Sequence, residues 1–196
     1  MMESHLTLLR LLSMKASEKD RPFQPVNIAV LTVSDSRTLE TDTSGHTLTE
    51  RIEAAGHHVA DRKLINDDED AIVTALRAWI ADPHIDVIIS TGGTGLTGRD
   101  VTPEAVRAVM EKEIPGFGEL FRWLSYAKIG TSTVQSRALA VVAHGTYIFA
   151  LPGSPSACRD AWDDILVHQL DIRHKPCNFV ELMPRLREQP PVTASW

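Results

Sequence analysis

The sequence has few cysteines, no excess of basic residues and no long apolar run. Cys158 and Cys177 are its only cysteines in 196 residues, and they stand far apart, in no metal-ligand spacing. We therefore expect free thiols in a reducing compartment and predict a cytoplasmic protein. The net charge of −6 argues against binding to nucleic acid or to anionic membranes, because both require a basic face.

The leucine-rich run at residues 6–12 is interrupted by Arg10 and is too short to cross a membrane. We predict that residues 1–24 form a flexible leader, residues 25–180 one domain, and residues 181–196 a carboxyl-terminal tail. The content of hydrophobic residues, 43%, and of charged residues, 23%, is that of an ordinary globular protein.

Short apolar runs alternate with amphipathic helical patterns through the first half of the chain. The runs at 26–34, 58–65 and 86–91 predict strands, with a helix between each pair. This alternation predicts an α/β protein with three layers, α/β/α, and a mostly parallel central sheet. Two later runs, 138–143 and 147–151, flank His144-Gly145 and predict a β-hairpin.

The most informative segment is the glycine-rich stretch that follows the third predicted strand. Its glycines, at 92, 93, 95 and 98, allow several backbone N–H groups to converge on an anion, most often a phosphate. Asp100 follows directly, where a phosphate-bound magnesium ion would take an oxygen ligand. Thr102 is predicted to cap the next helix, with Pro103 in its first position. The alternative is a glycine-rich turn that binds no ligand.

Two known phosphate-binding motifs have a similar glycine spacing, but neither applies. The dinucleotide-binding fingerprint opens a helix at once and is followed about twenty residues later by an acid at the end of a strand; this sequence has neither feature. The P-loop needs a lysine and a hydroxyl residue, and Arg99 and Asp100 stand in their places.

Loops that follow parallel strands meet at the carboxyl edge of the sheet, where ligands bind in folds of this kind. That edge is therefore predicted to bring together polar residues from three loops: Ser34, Asp35, Arg37, Asp42, Asp67, Asp68 and Asp100. Gly153 and Ser154 precede a later predicted helix and offer either a second anion site or a plain turn.

Three separated blocks resemble the molybdopterin-binding proteins of molybdenum cofactor biosynthesis. They are Thr91-Gly92-Gly93-Thr94-Gly95 with Asp100-Val101-Thr102-Pro103-Glu104-Ala105, Pro115-Gly116-Phe117-Gly118-Glu119, and Leu151-Pro152-Gly153-Ser154-Pro155. Further blocks at 42–46, 130–137 and 175–179 are similar to one branch of this family rather than to the other, the molybdopterin adenylyltransferases.

Resemblance to the adenylyltransferase branch implies a reaction in which molybdopterin and Mg-ATP give adenylyl-molybdopterin and pyrophosphate. It implies Mg²⁺ and ATP as a substrate complex and molybdopterin as the second substrate. The family also implies a homo-oligomer, either a trimer or a hexamer built from two trimers.

The resemblance further implies roles for single residues. The loop residues Thr91, Gly92, Gly93, Thr94 and Gly95 would hold the molybdopterin phosphate. Catalytic acids would be Asp100 together with Asp67 or Asp68, and Asp100 and Asp67 would hold the metal ion. Whichever of Asp67 and Asp68 is not catalytic is expected to cap the next helix. A segment near the ligand is matched by Asp42, Ser44 and Gly45, and a helix-capping role for Ser44 is the alternative.

Three hypotheses about function stay open from the sequence. The first is an adenylyltransferase, favoured because Asp100 and an acid at position 67 or 68 are both present. The second is a non-catalytic molybdopterin carrier or assembly subunit, and the third is a scaffold for other proteins. Kinship at the level of the fold does not separate them.

Overall fold

The computed structural model describes residues 21–188, and these contain a six-stranded sheet with helices on both faces. The strands are β1 (Asn27–Val33), β2 (His58–Ile65), β3 (Val87–Thr91), β4 (Lys112–Glu113), β5 (Leu139–Ala143) and β6 (Thr146–Leu151). The helices are α1 (Thr43–Ala54), α2 (Glu69–Ile80), α3 (Thr102–Val109), α4 (Pro115–Ile129), α5 (Pro155–Ala161), α6 (Val167–Gln169) and α7 (Phe179–Leu182). Short 3-10 segments occupy Gly130–Gln135 and Met183–Arg185, and a π-helical turn occupies Trp162–Leu166.

The strand order across the sheet is β2-β1-β3-β6-β5-β4. Strands β2, β1, β3 and β6 pair in parallel, whereas β5 pairs antiparallel with both β6 and β4. The predicted mostly parallel sheet is therefore confirmed. Because the chain runs from β1 to β2 on one side and then to β3 on the other, the loops after β1 and β3 open a crevice between them.

Apolar residues on the two faces of the sheet form two separate cores. One core packs against α1, α4 and α5 through residues that include Leu48, Phe121 and Cys158. The opposite core packs against α2 and α3 through residues that include Leu76 and Val106. Successive residues of β1 alternate between the two cores, as the period of a strand requires. The three-layer prediction is confirmed.

The predicted strands agree with the observed ones to within one residue at each end. The predicted hairpin is also confirmed, and His144 and Gly145 join its strands with φ angles of 47° and 89°. Two successive residues with positive φ give the two-residue turn whose twist matches the flanking strands.

Two local features differ from the sequence predictions. Thr102 does not cap α3: the capping position is Val101, which makes no side-chain cap bond, and Thr102 Oγ1 instead donates a 2.8 Å hydrogen bond to the carbonyl oxygen of Gly92. The edge strand β4 was not predicted, because it has only two residues, both exposed. Pro115 then opens α4 as a new helix.

The predicted leader lies largely outside the described residues, and the last helix, α7, crosses the predicted domain boundary at residue 180. Within residues 21–188, no helix has both the length and the apolar character needed to traverse a bilayer.

Candidate functional site

Two adjacent cavities lie at the carboxyl edge of the parallel strands. The first, called here the helix-side cavity, has a volume of about 480 Å³ and reaches from the glycine-rich loop to α4, the 3-10 segment after it and α5. The second, the strand-side cavity, has a volume of about 400 Å³ and lies against the ends of β1 and β2. Gly92, Gly93, Asp100 and Gly153 border both cavities, so the glycine-rich loop contributes to a shared wall.

Most of the residues predicted for the site border one or both of these cavities. Those that do are Ser34, Asp35, Arg37, Ser44, Asp67, Thr91, Gly92, Gly93, Thr94, Gly95, Asp100, Gly153 and Ser154. Three predicted residues border neither cavity: Asp42, Gly45 and Asp68.

The backbone of the glycine-rich loop bonds to β6 at its start and then leaves two N–H groups unpaired. Gly92 and Gly93 have φ angles of 100° and 61°, a region that favours glycine. The N–H group of Gly92 donates to the carbonyl oxygen of Leu151 at 3.1 Å. Within the described part of the chain, the N–H groups of Gly93 and Thr94 meet no acceptor. Unpaired donors of this kind at a cavity wall suit an anionic ligand.

Asp100 borders both cavities and folds back onto its own loop. Its Oδ2 atom accepts hydrogen bonds from the N–H group of Thr97 at 2.9 Å and from Thr97 Oγ1 at 2.6 Å. The Thr97 hydroxyl bond is the largest influence on this group and lowers the pKa of the Asp100 carboxyl. Asp100 is therefore a fixed negative charge at the shared wall.

The structure distinguishes between the two neighbouring acids after β2. The side chain of Asp68 accepts the N–H group of Ala71 at 2.8 Å and caps α2, so its carboxylate has a structural use. Asp67 borders the strand-side cavity. Burial, and then the negative charges of Asp35 and Asp100, raise the pKa of Asp67. Of the two neighbouring acids, Asp68 therefore caps the helix and Asp67 borders the cavity.

Asp35 links the loops that follow β1, β2 and β3. Its Oδ1 atom accepts the N–H group of Asp67 at 3.2 Å, and its Oδ2 atom pairs with the exposed guanidinium of Arg99. Arg99 thereby offsets part of the negative charge in this corner of the strand-side cavity.

Arg37 and Ser44 connect the loop after β1 to the loop after β6. Arg37 Nη1 donates to Ser44 Oγ at 3.0 Å, and Ser44 Oγ donates to the carbonyl oxygen of Gly153 at 2.7 Å. The predicted alternative, that Ser44 caps α1, is wrong, because the cap is Asp42.

Asp42 lies behind the site, with a side chain that is fully buried. Its carboxylate accepts hydrogen bonds from Thr32, Arg62 and the N–H group of Gly45 at 2.6, 2.9 and 2.9 Å. Burial acts to raise the pKa of Asp42, but these bonds outweigh it and leave the pKa below its ordinary value. The prediction that Asp42 and Gly45 contact the ligand is not supported, because their polar groups are used by one another and by the sheet.

The helix-side cavity combines apolar walls with a few polar groups. Phe121 is buried and forms part of its wall. Lys128 Nζ donates to Asp160 Oδ1 at 2.6 Å between α4 and α5, and both residues border the cavity. Ser154 caps α5 by accepting the N–H group of Ala157 at 3.2 Å.

Sequence reasoning did not single out Arg137, although it lay within one of the blocks that carried the resemblance. Arg137 Nε donates to the carbonyl oxygen of Gly95 at 2.7 Å, and Nη2 donates to that of Asp100 at 2.6 Å. Its Nη1 atom pairs with Glu104. A long-range contact of this kind has no local sequence signal.

Asp100 at the shared wall and Asp67 in the strand-side cavity fit a magnesium ion that is carried by substrate phosphates. Within residues 21–188 no group of three or more His, Cys, Asp or Glu side chains could hold a metal ion by itself. Magnesium bound to nucleotide phosphates needs only one or two carboxylates, which Asp67 and Asp100 supply. The pKa of Asp67, raised by burial and by neighbouring negative charges, marks an excess of negative charge that a cation would offset.

Comparison with known proteins gives one consistent result. Residues 29–172 match a family model described as a probable molybdopterin binding domain. Molybdenum cofactor biosynthesis protein B of Escherichia coli K12 is 51% identical over 163 residues, which are 83% of this chain and 96% of that protein.

Solved structures agree with this match. A crystal structure of molybdenum cofactor biosynthesis protein B has a TM-score of 0.77 at 38% identity and covers 86% of this chain and 100% of the other. The tungsten cofactor synthesizing protein MoaB from Pyrococcus furiosus has a TM-score of 0.69 at 32% identity, with the same coverage of 86% and 100%.

Proposed function

Because this chain belongs to the molybdopterin-binding family of molybdenum cofactor biosynthesis proteins, we propose that it binds molybdopterin and adenylylates it with Mg-ATP. Its role lies in molybdenum cofactor biosynthesis, and the products of the proposed reaction are adenylyl-molybdopterin and pyrophosphate. The observation that carries this proposal is the pair of cavities that meet at one wall, where Asp100 lies beside the unpaired N–H group of Gly93, with Asp67 in the strand-side cavity. Two anionic substrates can react only where their phosphate groups are held next to each other.

The proposed reaction transfers an adenylyl group between phosphates. An oxygen of the molybdopterin phosphate attacks the α-phosphorus of ATP and forms a new P–O bond. The bond from the α-phosphorus to the oxygen that bridges it to the β-phosphorus breaks, and pyrophosphate leaves with that electron pair. Because the attacking phosphate is ionised near neutral pH, no strong general base is required. Positioning and electrostatic stabilisation are then the main contributions of the protein.

Each cavity suits one of the two substrates. The helix-side cavity, with Phe121 and Ile129 in its wall, suits the flat pterin. The strand-side cavity, with Ser34 and Arg37 in its wall, suits the phosphates of ATP, because a guanidinium matches phosphate geometry. The N–H groups of Gly93 and Thr94 would hold the attacking phosphate at the boundary.

Asp67 and Asp100 would hold the magnesium ion of Mg-ATP. That ion supplies positive charge that offsets the repulsion between the two substrates. The chain's own contribution is to hold the Asp100 carboxylate through Thr97 and the backbone of Asp67 through Asp35.

The proposal is tested by measuring pyrophosphate release with molybdopterin and Mg-ATP. The wild-type protein should release pyrophosphate, and Asp100→Ala should reduce the rate by about 100-fold or more, the size of effect seen when one electrostatic stabiliser is removed. Asp82→Ala, a change in the exposed turn after α2, serves as the control and should keep the wild-type rate. A wild-type rate no higher than that of Asp100→Ala would contradict the proposal.

A specific observation favours a second candidate, a molybdopterin carrier or assembly subunit. The Asp100 carboxylate is already engaged by Thr97, and the described residues offer no self-sufficient metal cluster. A carrier would bind molybdopterin with the same affinity in the presence and absence of Mg-ATP and would release no pyrophosphate. Calorimetric titration of molybdopterin alongside the pyrophosphate assay separates the two functions.

The family resemblance and one exposed surface together support a homo-oligomer, a trimer or a hexamer. Trp123, Tyr126 and Ile129 of α4 are 72%, 59% and 55% exposed, and apolar surface of this kind marks protein interfaces. Trp123→Glu should therefore lower the mass measured by analytical ultracentrifugation, whereas Glu69→Lys, a charge change on exposed α2, should not. A cytoplasmic location fits the two free cysteines.

A further inference from the structure

The guanidinium of Arg137 bridges two separate points of the glycine-rich loop. Its Nε and Nη2 atoms donate to the carbonyl oxygens of Gly95 and Asp100 at 2.7 and 2.6 Å. Its Nη1 atom pairs with Glu104 on the first turn of α3. The side chain of Arg137 is 26% exposed, so the fork is largely shielded from water that would compete for these acceptors.

The segment that Arg137 holds has few other links to the rest of the domain. Its own bonds are local: the N–H group of Asp100 donates to the carbonyl oxygen of Thr97 at 3.1 Å, and the N–H group of Thr97 returns to the Asp100 carboxylate. In the chain from residue 21 to residue 188, Arg137 is the one residue outside segment 94–100 that bonds to the backbone of that segment. The start of the loop is held separately by Thr102. Its Oγ1 atom donates to the carbonyl oxygen of Gly92, and its N–H group donates to that of Gly93.

We propose that Arg137 is the positioning residue of the site: by fixing the carbonyl groups of Gly95 and Asp100, it sets the direction of the Asp100 carboxylate at the wall between the two cavities. The planar fork of arginine reaches two carbonyl groups and a carboxylate at once, which the single ammonium of lysine cannot do. The effect on turnover rests on the proposed adenylylation, whereas the effect on the loop does not.

The first test measures amide hydrogen exchange in the full chain by mass spectrometry. In Arg137→Ala, exchange of the N–H groups in segment 95–100 should become about tenfold faster or more, because charge-assisted hydrogen bonds to the loop are lost. Exchange in the β5–β6 hairpin should stay at the wild-type rate. Unchanged exchange in the loop, or equal acceleration throughout the protein, would overturn the proposal.

Two further variants separate position from charge. Arg137→Lys keeps the positive charge but loses the bridge, so it should show most of the acceleration of Arg137→Ala. Glu104→Gln leaves both carbonyl bonds in place and should keep loop exchange within about twofold of the wild type. If Arg137→Lys behaves as the wild type, the residue acts through its charge and the proposal is wrong.

The second test is chemical rescue of turnover. Arg137→Ala should lower kcat for pyrophosphate release by about tenfold or more, and guanidinium ion at low millimolar concentration should restore part of it. The same addition should not restore Asp100→Ala, which retains Arg137. Restoration of both variants, or of neither, would count against a positioning role.

The two proposals fail in different ways. If the wild type releases no pyrophosphate, the adenylylation proposal fails, and loop exchange still decides the role of Arg137. If the wild type releases pyrophosphate and Arg137→Ala has the same loop exchange and the same kcat, only the proposal about Arg137 is wrong.

Discussion

The hydroxyl group of Ser44 donates a 2.7 Å hydrogen bond to the carbonyl oxygen of Gly153, a residue 109 positions further along the chain. The oxygen of the Ser44 hydroxyl group also accepts a 3.0 Å hydrogen bond from Arg37 Nη1. Ser44 therefore joins the loop after β1 to the loop after β6 at the strand-side cavity. It acts on the site by holding its two neighbours in place.

Removal of this link should weaken both the fold and the site. Ser44→Ala should lower the free energy of unfolding by about 1 kcal/mol, the net value of one hydrogen bond. It should also weaken binding of ATP, because Arg37 loses its shortest hydrogen bond and keeps only the longer contacts to Thr43 and Asp42. Urea denaturation and a nucleotide titration measure the two effects. Thr49→Ala is the matched control, since among residues 21–188 Thr49 Oγ1 bonds only to the carbonyl oxygen of His46, on the exposed side of α1. Equal ATP affinity in both variants would contradict the role given to Ser44.

The adjacent acids Asp67 and Asp68 should respond to alanine in opposite ways. Asp68→Ala should cost about 1 kcal/mol of folding free energy through the lost cap of α2 and should keep pyrophosphate release. Asp67→Ala should abolish most of the release without loss of stability, because burial and the charges of Asp35 and Asp100 raise the pKa of Asp67 and so disfavour its charged form in the folded state. Denaturation curves and the pyrophosphate assay, run on both variants, compare the two. The reverse pattern would transfer the functional role to Asp68.

Two glycines of the same loop should differ sharply in their tolerance of alanine. Gly93 has a φ angle of 61°, and a Cβ atom there would overlap Thr102 Oγ1 and lie 2.7 Å from Asp67 Oδ1. Gly93→Ala should therefore cost about 2 kcal/mol or more and should impair ligand binding. A Cβ atom on Gly98 would meet nothing within 4 Å, so Gly98→Ala should change stability by less than about 0.5 kcal/mol. Thermal denaturation with and without molybdopterin provides the comparison.

Buried His57 should make stability depend on pH. Its Nδ1 atom accepts the N–H group of Val26 at 3.2 Å, and burial lowers the pKa of His57 below the ordinary value of 6.5, although Asp171 opposes the shift. A lowered pKa means that the unfolded chain takes up a proton more readily than the folded one. The stabilisation is therefore complete above pH 6.5 and is lost as the pH falls through the lower, folded-state pKa.

The measurement is the free energy of unfolding between pH 7 and pH 5, for the wild type and for His57→Asn. The asparagine oxygen can replace the acceptor but does not titrate in this range. The variant should therefore have a shallower dependence on pH than the wild type. Parallel curves would exclude His57 as the source of the dependence.

The elements of the fold that can be predicted from the sequence are those with a regular pattern of apolar residues. Strands β1, β2 and β3 are short buried runs between helical stripes, and each was located to within one residue. Strand β4 was missed because Lys112 and Glu113 are both exposed and leave no apolar pattern. Its position depends on hydrogen bonds to β5, which no local signal contains.

The candidate site was predicted less completely, for two physical reasons. The sequence of a polar loop does not show which of its side chains are buried. Asp42 was therefore predicted to bind the ligand, although its carboxylate is buried behind the site. Contacts between distant segments are also not visible, so Arg137 carried no signal from its neighbours. Asp67 and Asp68 could be separated only when the start of α2 was known to residue accuracy.

Because Asp100 borders both cavities, charged ligands in the two cavities would both interact with one carboxylate. A ligand that redistributes charge around Asp100 from one cavity alters the free energy of binding in the other, and the coupling is equal in both directions. If the proposed substrates occupy these cavities, binding of either one would therefore change the affinity for the other by the same factor.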